Sequence, residues 1–309
     1  MRILVTGASG FAGALIVPRL MAEGHTVRAL ARNAGALSGP AEAVGGDALT
    51  GSGLQRALDG VEVAYYLIHS MERAPQQARF DERERVAAEN FADAASRAGV
   101  ARIVYLGGML PANSTAAAQP PLSRHLASRA QVERILLAAV PDSVALRASI
   151  VIGARSRSFR LLVHLVERLP VLPLPAWRRF RTQPIDARDI AEMLIAAATA
   201  PLGGRSLDAP GPDVLSYGEI VRRIAELMLV GRPALGLGLS ATPLTARVAA
   251  AIAGEDPALV IGLMASLQMD LLARDHAAAE LLGVALHSFD AAVEHALGEW
   301  EQAEPLAAR

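Results

Sequence analysis

Over the first two-thirds of the chain, short and nearly unbroken apolar runs alternate with longer stretches of helical period. The runs that read as strands are Arg2–Thr6, Thr26–Ala31, Ala43–Gly45, Val61–Leu67, Arg102–Leu106 and Ser143–Leu146. Several carry the continuous Val/Ile/Leu/Tyr character of strands covered on both faces. Between them, Phe11–Glu23, Ser52–Leu58, Asp81–Ala98 and Ser123–Ala139 have helical spacing, and Gly24 and Gly99 stand where helix C-caps are expected. This alternation predicts a parallel sheet flanked by helices.

From Ala154 onward the alternation weakens. Helices are expected at Arg157–Leu169, Asp189–Ala198, Asp256–Met269, Asp275–Leu282 and Ser288–Trp300, with a strand at Thr182–Ile185. Ser216-Tyr-Gly-Glu219 has capping-box spacing and predicts a helix start that runs to about Leu229. No internal repeat is present, and this third of the chain reads as a helix-rich lobe.

Composition narrows the chemistry. The 309 residues are 52% hydrophobic and 20% charged, enough for a sizeable core. Thirty basic residues oppose thirty-one acidic ones, which gives no support for nucleic-acid binding. Cysteine is absent, so disulfides, thiolate nucleophiles and Cys metal sites are excluded, and a cytoplasmic location fits. Lysine is absent too, which excludes a Schiff-base or P-loop lysine. No signal-peptide pattern opens the chain, and no apolar run reaches the roughly 18–20 residues of a spanning helix. Peripheral membrane contact stays open because Leu161–Leu174 and Ala234–Leu244 are apolar. Trp177-Arg-Arg-Phe-Arg181 is a basic-aromatic patch suited to an anion, a membrane surface or a solvated loop.

The segment Gly7-Ala-Ser-Gly10-Phe-Ala-Gly13 follows the first strand and opens the first helix. Glycines there permit a tight bend and close approach of backbone N–H groups to a pyrophosphate, while the helix N-terminus supplies positive dipole. The Gly-x-x-Gly-x-x-Gly spacing after Thr6 resembles the extended and atypical short-chain dehydrogenase/reductases. Val27–Arg32, Gly46-Asp47, Tyr65–Met71, Ile103–Gly108 and Gln183–Asp189 look like the NmrA-like, NAD(P)-binding group. The resemblance implies a Rossmann-type doubly wound parallel sheet with a smaller helix-rich C-terminal lobe. On that basis residues 1–153, with 181–201 returning, form the nucleotide domain, and 154–180 and 202–309 form a substrate or partner lobe.

The same resemblance sets the expected cofactor contacts. In the glycine turn these are Gly7, Ser9, Gly10, Phe11, Ala12 and Gly13. Asp47 and Ala48 are expected beside the adenine, although Asp47 also reads as an ordinary turn residue. Leu67, Ile68 and His69 end the fourth strand, Gly107 the fifth, and Ala148 and Ser149 the sixth. NAD-preferring relatives place an acid at the end of the second strand, where this chain has Ala31 followed by Arg32. An arginine binds a 2′-phosphate, so NADP(H) is favoured over NAD(H), unless Arg32 is only a solvated surface residue.

Reductases of this superfamily usually carry a Ser or Thr after the fifth strand and a Tyr-x-x-x-Lys helix. Here the fifth strand ends in Gly107-Gly108, and the helix offers His125 and Arg129 at the two positions. The two are four apart and share a helix face. Histidine is a plausible acid–base group, whereas arginine can donate to a ribose but cannot relay a proton. A nearby arginine disfavours imidazolium, so a neutral ring is expected. The plainer alternative makes both residues helix-surface or cofactor contacts. Asp186, Asp189 and Glu192 read as helix-capping rather than metal-binding, and no metal site is expected.

Two functions fit this reading. One is an oxidoreductase acting on a small apolar carbonyl, enone or quinone. The other is a non-catalytic nucleotide sensor with a protein partner, which the joint loss of Ser, Tyr and Lys would suit.

Overall fold

The computed structural model describes residues 1–37, 39–69, 80–111, 122–238, 242–254 and 256–304. Seven parallel strands form its main sheet: β1 (Arg2–Thr6), β2 (Thr26–Ala31), β3 (Glu42–Gly45), β4 (Val63–Tyr66), β5 (Arg102–Gly108), β6 (Val144–Ala148) and β11 (Arg205–Asp208). Their order across the sheet is β11-β6-β5-β4-β1-β2-β3, the doubly wound Rossmann arrangement. The shorter strands are β7 (Val151–Ile152), β8 (Leu172–Leu174), β9 (Arg181–Thr182), β10 (Ile185–Asp186), β12 (Leu215–Ser216) and β13 (Ala234–Gly236). They pair as β7 with β10, β9 with β12, and β8 with β13.

The helices are α1 (Phe11–Ala22), α2 (Leu54–Leu58), α3 (Phe80–Arg97), α4 (Arg124–Ala139), α5 (Arg157–Arg168), α6 (Ala187–Ala196), α7 (Tyr217–Leu227), α8 (Thr242–Ala253), α9 (Pro257–Ala265), α10 (Ala277–Leu282) and α11 (Phe289–Ala303). Among the described residues no helix is long and apolar enough to cross a membrane.

The sheet explains why its strands read as unbroken apolar runs. Successive side chains point to opposite faces, and both faces are covered. Ile3, Val5, Val63, Tyr65, Val104 and Leu146 enter the layer beneath α1 and α6. Leu4, Leu30, Ala64, Tyr66, Ile103 and Tyr105 enter the layer beneath α2, α3 and α4. A third core, around Phe159, Val163, Leu172, Trp177, Ile220, Phe289 and Trp300, belongs to the C-terminal lobe. There Ser216 and Glu219 form the expected capping box: the Ser216 N–H donates to Glu219 Oε2 at 2.7 Å, and the Glu219 N–H donates to Ser216 Oγ at 3.2 Å.

Two sequence expectations are corrected. Thr182–Ile185 is not one strand. Pro184 has no N–H to give, so the ladder breaks between β9 and β10. Residues 202–309 were read as lobe, yet β11 pairs with β6 at the sheet's edge, and Ala278 and Leu282 of α10 pack into the core beneath α6. The sequence of β11, Arg-Ser-Leu-Asp, hides its role because its polar side chains have buried partners. Arg147 on β6 donates to both carboxylate oxygens of Glu133 on α4, at 2.8 and 2.5 Å, and lies 3.6 Å from Asp208. Ser206 donates to Glu133 at 2.6 Å, and Arg274 donates to Asp208 at 2.5 and 2.8 Å.

This network gives a stability prediction. Arg147→Ala leaves Glu133 and Asp208 buried and short of positive charge, and should cost on the order of 3–5 kcal/mol. Urea denaturation at neutral pH measures it; a loss below about 1 kcal/mol would mean that water replaces the guanidinium.

Candidate active site

The glycine turn is built for close approach. Gly7 has φ +64°, and a Cβ there would stand 2.7 Å from the Leu67 carbonyl oxygen. One at Gly13 would stand 2.4 Å from the Gly7 oxygen and 2.6 Å from Ala8 Cα. Gly10 is the N-cap of α1, makes no side-chain cap, and no acidic residue occupies the helix's first turn. The N–H groups of that turn therefore suit an anion. Thr6 Oγ1 donates to the Tyr65 carbonyl at 3.0 Å and accepts from the Leu67 N–H at 3.1 Å, which locks together the ends of β1 and β4 beside the turn. Ser9, Phe11 and Ala12 lie in the same cradle. These residues fit a dinucleotide, because Gly7 and Gly13 let the turn close tightly on β4 and on the start of α1, and the helix's N-terminal N–H groups carry no side-chain cap.

The other expected cofactor residues gather along the C-terminal edge of the same sheet. Arg32 follows β2, is exposed, and makes no ion pair among the described residues. Asp47 follows β3, and its Oδ1 accepts from the Leu49 N–H at 2.8 Å, so one oxygen serves the turn itself. Asn90 of α3 donates to the Ala48 and Leu49 carbonyls at 3.0 and 2.9 Å and holds that loop in place. Sequence reasoning missed Asn90, since nothing marks a helix asparagine as a loop anchor. Leu67 and Ile68 are half-buried beyond β4. Gly107 is the penultimate residue of β5, in register with Arg147, and Gly108 pairs with Ala148, whose carbonyl accepts from the Met109 N–H at 2.8 Å; Ser149 donates to the Gln183 carbonyl at 2.7 Å. Ser70 and Met71 of the fourth-strand motif lie outside the described residues.

His125 and Arg129 share a face of α4 but have different surroundings. Arg129 donates to the Leu106 carbonyl, and its guanidinium lies 5.0 Å from the centre of the Tyr105 ring. His125 is half-buried, with its ring centre 5.3 Å from that of His69. Its Nδ1 is buried and has no hydrogen-bond partner among the described residues. His69 is held in turn: its Nδ1 lies 2.8 Å from Glu84 Oε1, and Ser128 donates to Glu84 Oε2 at 2.5 Å. Nothing in the local pattern marks Glu84 or Ser128, which look like ordinary polar residues of amphipathic helices.

Burial pushes His125 down to about 3, helped by the neighbouring His69 and Arg129. The ring is neutral at physiological pH, as expected, but burial contributes more than the arginine. For Glu84 burial acts upward, yet the hydrogen bond and charge of His69, the Arg129 charge and the Ser128 hydroxyl outweigh it and hold the carboxyl at about 2. The cluster thus pairs a fixed carboxylate with two imidazoles, of which His125 stays uncharged.

His125 also lines a cavity of about 140 Å³ between sheet and lobe. Met109, Leu161, Leu162, Met264, Leu267 and Leu271 are among its lining residues, and Tyr217 adds an aromatic edge. The Tyr217 hydroxyl is shared with Thr182, and burial raises its pKa, so it is not a substitute for the absent helix tyrosine. Asp186 caps α6 by accepting from the Arg188 N–H at 2.7 Å, and Asp189 accepts from the His287 N–H at 2.8 Å and lies 2.6 Å from His287 Nδ1. Both carboxylates therefore have structural partners.

Residues 1–226 match the model of the NmrA-like family. This chain belongs to the NmrA-like family. Membership implies a nicotinamide dinucleotide as cofactor, in keeping with the cradle. The chain is 30% identical over 231 residues to a ceramide reductase of Caulobacter vibrioides (strain NA1000 / CB15N), covering 73% of this chain and 70% of that one. It is similar in fold to the crystal structure of gox2253, with TM-score 0.75, 21% identity, and 97% and 98% of the two chains covered. A UDP-glucose 4-epimerase from Thermotoga maritima, in complex with UDP-glucose, superimposes with TM-score 0.75 at 13% identity over 98% and 99% of the chains. Within this NmrA-like fold, the His125–His69–Glu84 cluster has His69 just beyond β4 and His125 in the cavity wall.

The cluster sets a pH dependence. An unfolded His125 takes up a proton near its ordinary 6.5 while the folded ring resists until about 3, so stability should fall as pH drops through that range. Glu84 has an ordinary value of 4.5 and a folded value near 2, so its contribution should be lost between those values as pH falls. Urea unfolding at stepped pH should show His125→Phe flattening the first window and Glu84→Gln flattening the second. Unchanged slopes in both variants would contradict the assignment.

Proposed function

We propose that the protein is an NADPH-dependent reductase of a carbonyl group carried on a substrate with a long apolar chain. The observation that carries this reading is the leucine- and methionine-lined cavity with His125 in its wall, which opens at the C-terminal ends of β5 and β6 through Gly108 and Ala148. The similarity to a ceramide reductase supports a lipid-like substrate. The cofactor would supply the hydride that adds to the carbonyl carbon. Gly7, Gly10, Gly13 and the first turn of α1 would hold the pyrophosphate, and Ser9, Phe11, Ala12, Asp47, Ala48, Leu67, Ile68, Gly107, Ala148 and Ser149 would line the remainder.

The neutral ring of His125 would donate a hydrogen bond to the carbonyl oxygen as negative charge builds there, and water would supply the proton that the alkoxide takes up. His69, which the Glu84 carboxylate steadies, would hold the His125 ring in place. Arg129, always charged and tied to Leu106, would orient the ribose and add positive potential without exchanging a proton. Arg32 would take the 2′-phosphate, where an acid would repel it.

Purified protein should consume NADPH with alkyl-tailed ketones, enones or quinones, and KM should fall about threefold per added methylene until the cavity is filled. His125→Phe should lower kcat about a hundredfold or more while NADPH still binds. Binding of NADPH with no turnover on any tailed carbonyl would favour the sensor reading instead.

The cofactor preference has its own test. Arg32→Ala should raise the Kd for NADPH about tenfold or more and leave that for NADH unchanged. Calorimetric titration of both nucleotides decides it; equal Kd values in the parent protein would remove the phosphate-recognition argument.

A further inference from the structure

The β8–β13 ribbon on the lobe surface has an apolar outer face. Leu172 and Leu174 of β8 point into the lobe core, while Pro173 between them is exposed. Leu235 pairs with Pro173 in register, and the ladder continues as the Leu237 N–H donates to the Leu174 carbonyl at 2.7 Å. Leu235 and Leu237 are two apart, so they share one face, and they are 58% and 41% exposed. Leu229, just before the ribbon, is 92% exposed and has φ 56°. A leucine pays about 1–2 kcal/mol for that left-handed conformation, and in water its exposure brings no compensating burial.

Charge accompanies these leucines. Residues 169–181 and 229–238 contain Arg178, Arg179, Arg181 and Arg232 and no acidic residue. Arg178 reaches along the ribbon and donates to the Leu237 carbonyl at 3.0 Å. Arg179 is exposed, with its guanidinium 5.2 Å from the centre of the Phe180 ring. Neither has a carboxylate partner among the described residues, whereas Arg181 is paired with Asp270 at 3.0 Å. The ribbon also adjoins the cavity: Leu174 lies against Gly218, next to Tyr217 in the cavity wall.

We propose that this ribbon docks the lobe on an anionic phospholipid surface. Leu229, Leu235 and Leu237 would enter the boundary between headgroups and acyl chains, while Arg178 and Arg179 would meet lipid phosphates. Apolar insertion and basic attraction are each weak alone, and stable attachment takes both. A second copy of the chain fits less well, because a two-fold contact through this face would set arginines against arginines. The docking does not rest on the proposed reaction. A protein that binds vesicles and reduces nothing keeps the docking and loses the activity.

Flotation of the full chain with phosphatidylcholine vesicles, with and without phosphatidylglycerol, tests it. The parent protein should float with the mixed vesicles, less with phosphatidylcholine alone, and less at high salt. Leu235→Ser with Leu237→Ser should lower partitioning about tenfold. Arg179→Gln should lower it about fivefold on the anionic vesicles only. All these side chains are at the surface, so the variants should keep the parent circular dichroism melt and NADPH binding. Absence of parent flotation, or flotation that the folded variants leave unchanged, overturns the proposal. So does a dimer on gel filtration that the double leucine variant dissolves.

Discussion

A guanidinium placed inside a parallel sheet must be answered by carboxylates, and Arg147 imposes that condition on the whole molecule. It stands on β6 and draws Glu133 in from α4 and Asp208 from β11. Asp208 then fixes Arg274, and the neighbouring Ala273 N–H is fixed by Gln183 Oε1 at 2.9 Å. The segment that carries Leu271 into the cavity is thereby fastened to the sheet. Removing such a network in favour of apolar packing need not weaken a protein, so its value here lies in setting positions. Without it, the edge strand and the cavity wall would have no common reference.

The chemistry of the site follows from a chain without lysine. Where reductases of the superfamily use a titratable amine beside a tyrosine, this chain has a permanent cation beside an imidazole. Arg129 cannot change its charge, so the titratable side chains of this cluster are His125, His69 and Glu84. Glu84, buried and held as a carboxylate, fixes the sign of the local field on one side, and Arg129 fixes it on the other. Between them the two imidazoles cannot both be charged at little cost, which keeps the inner ring neutral.

The sheet was legible because buried strands leave continuous apolar runs, and six of its ends carry the residues expected to meet a cofactor. The glycine turn was legible because its constraint is steric and only glycine meets it. Arg205–Asp208 was not legible, since a strand whose polar side chains find buried partners has no apolar pattern to detect. Glu84 and Ser128 escaped for a similar reason: their significance lies in what α3 and α4 bring together, not in either helix alone. The break at Gln183-Pro184 was not read from the sequence, where Thr182–Ile185 looked like one strand, because it depends on which neighbour each half pairs with. The ribbon was seen only as apolar composition, and its alternation of buried and exposed leucines emerges from the register with Pro173.

The cavity draws its lining from both halves of the molecule: Gly108, Met109 and Ala148 from the sheet, and Leu161, Met264 and Leu267 from the lobe. Beside the apolar packing of Ala278 and Leu282, polar ties join those halves: Asp208 with Arg274, Asp189 with His287, Gln183 with Ala273. None of these polar side chains lines the cavity. Exchanges among leucine, methionine and isoleucine in the lining can reshape the space for a new chain length or branching while the fastenings remain untouched. Such a division lets a lineage of these proteins diversify its ligands without repeatedly rebuilding its architecture.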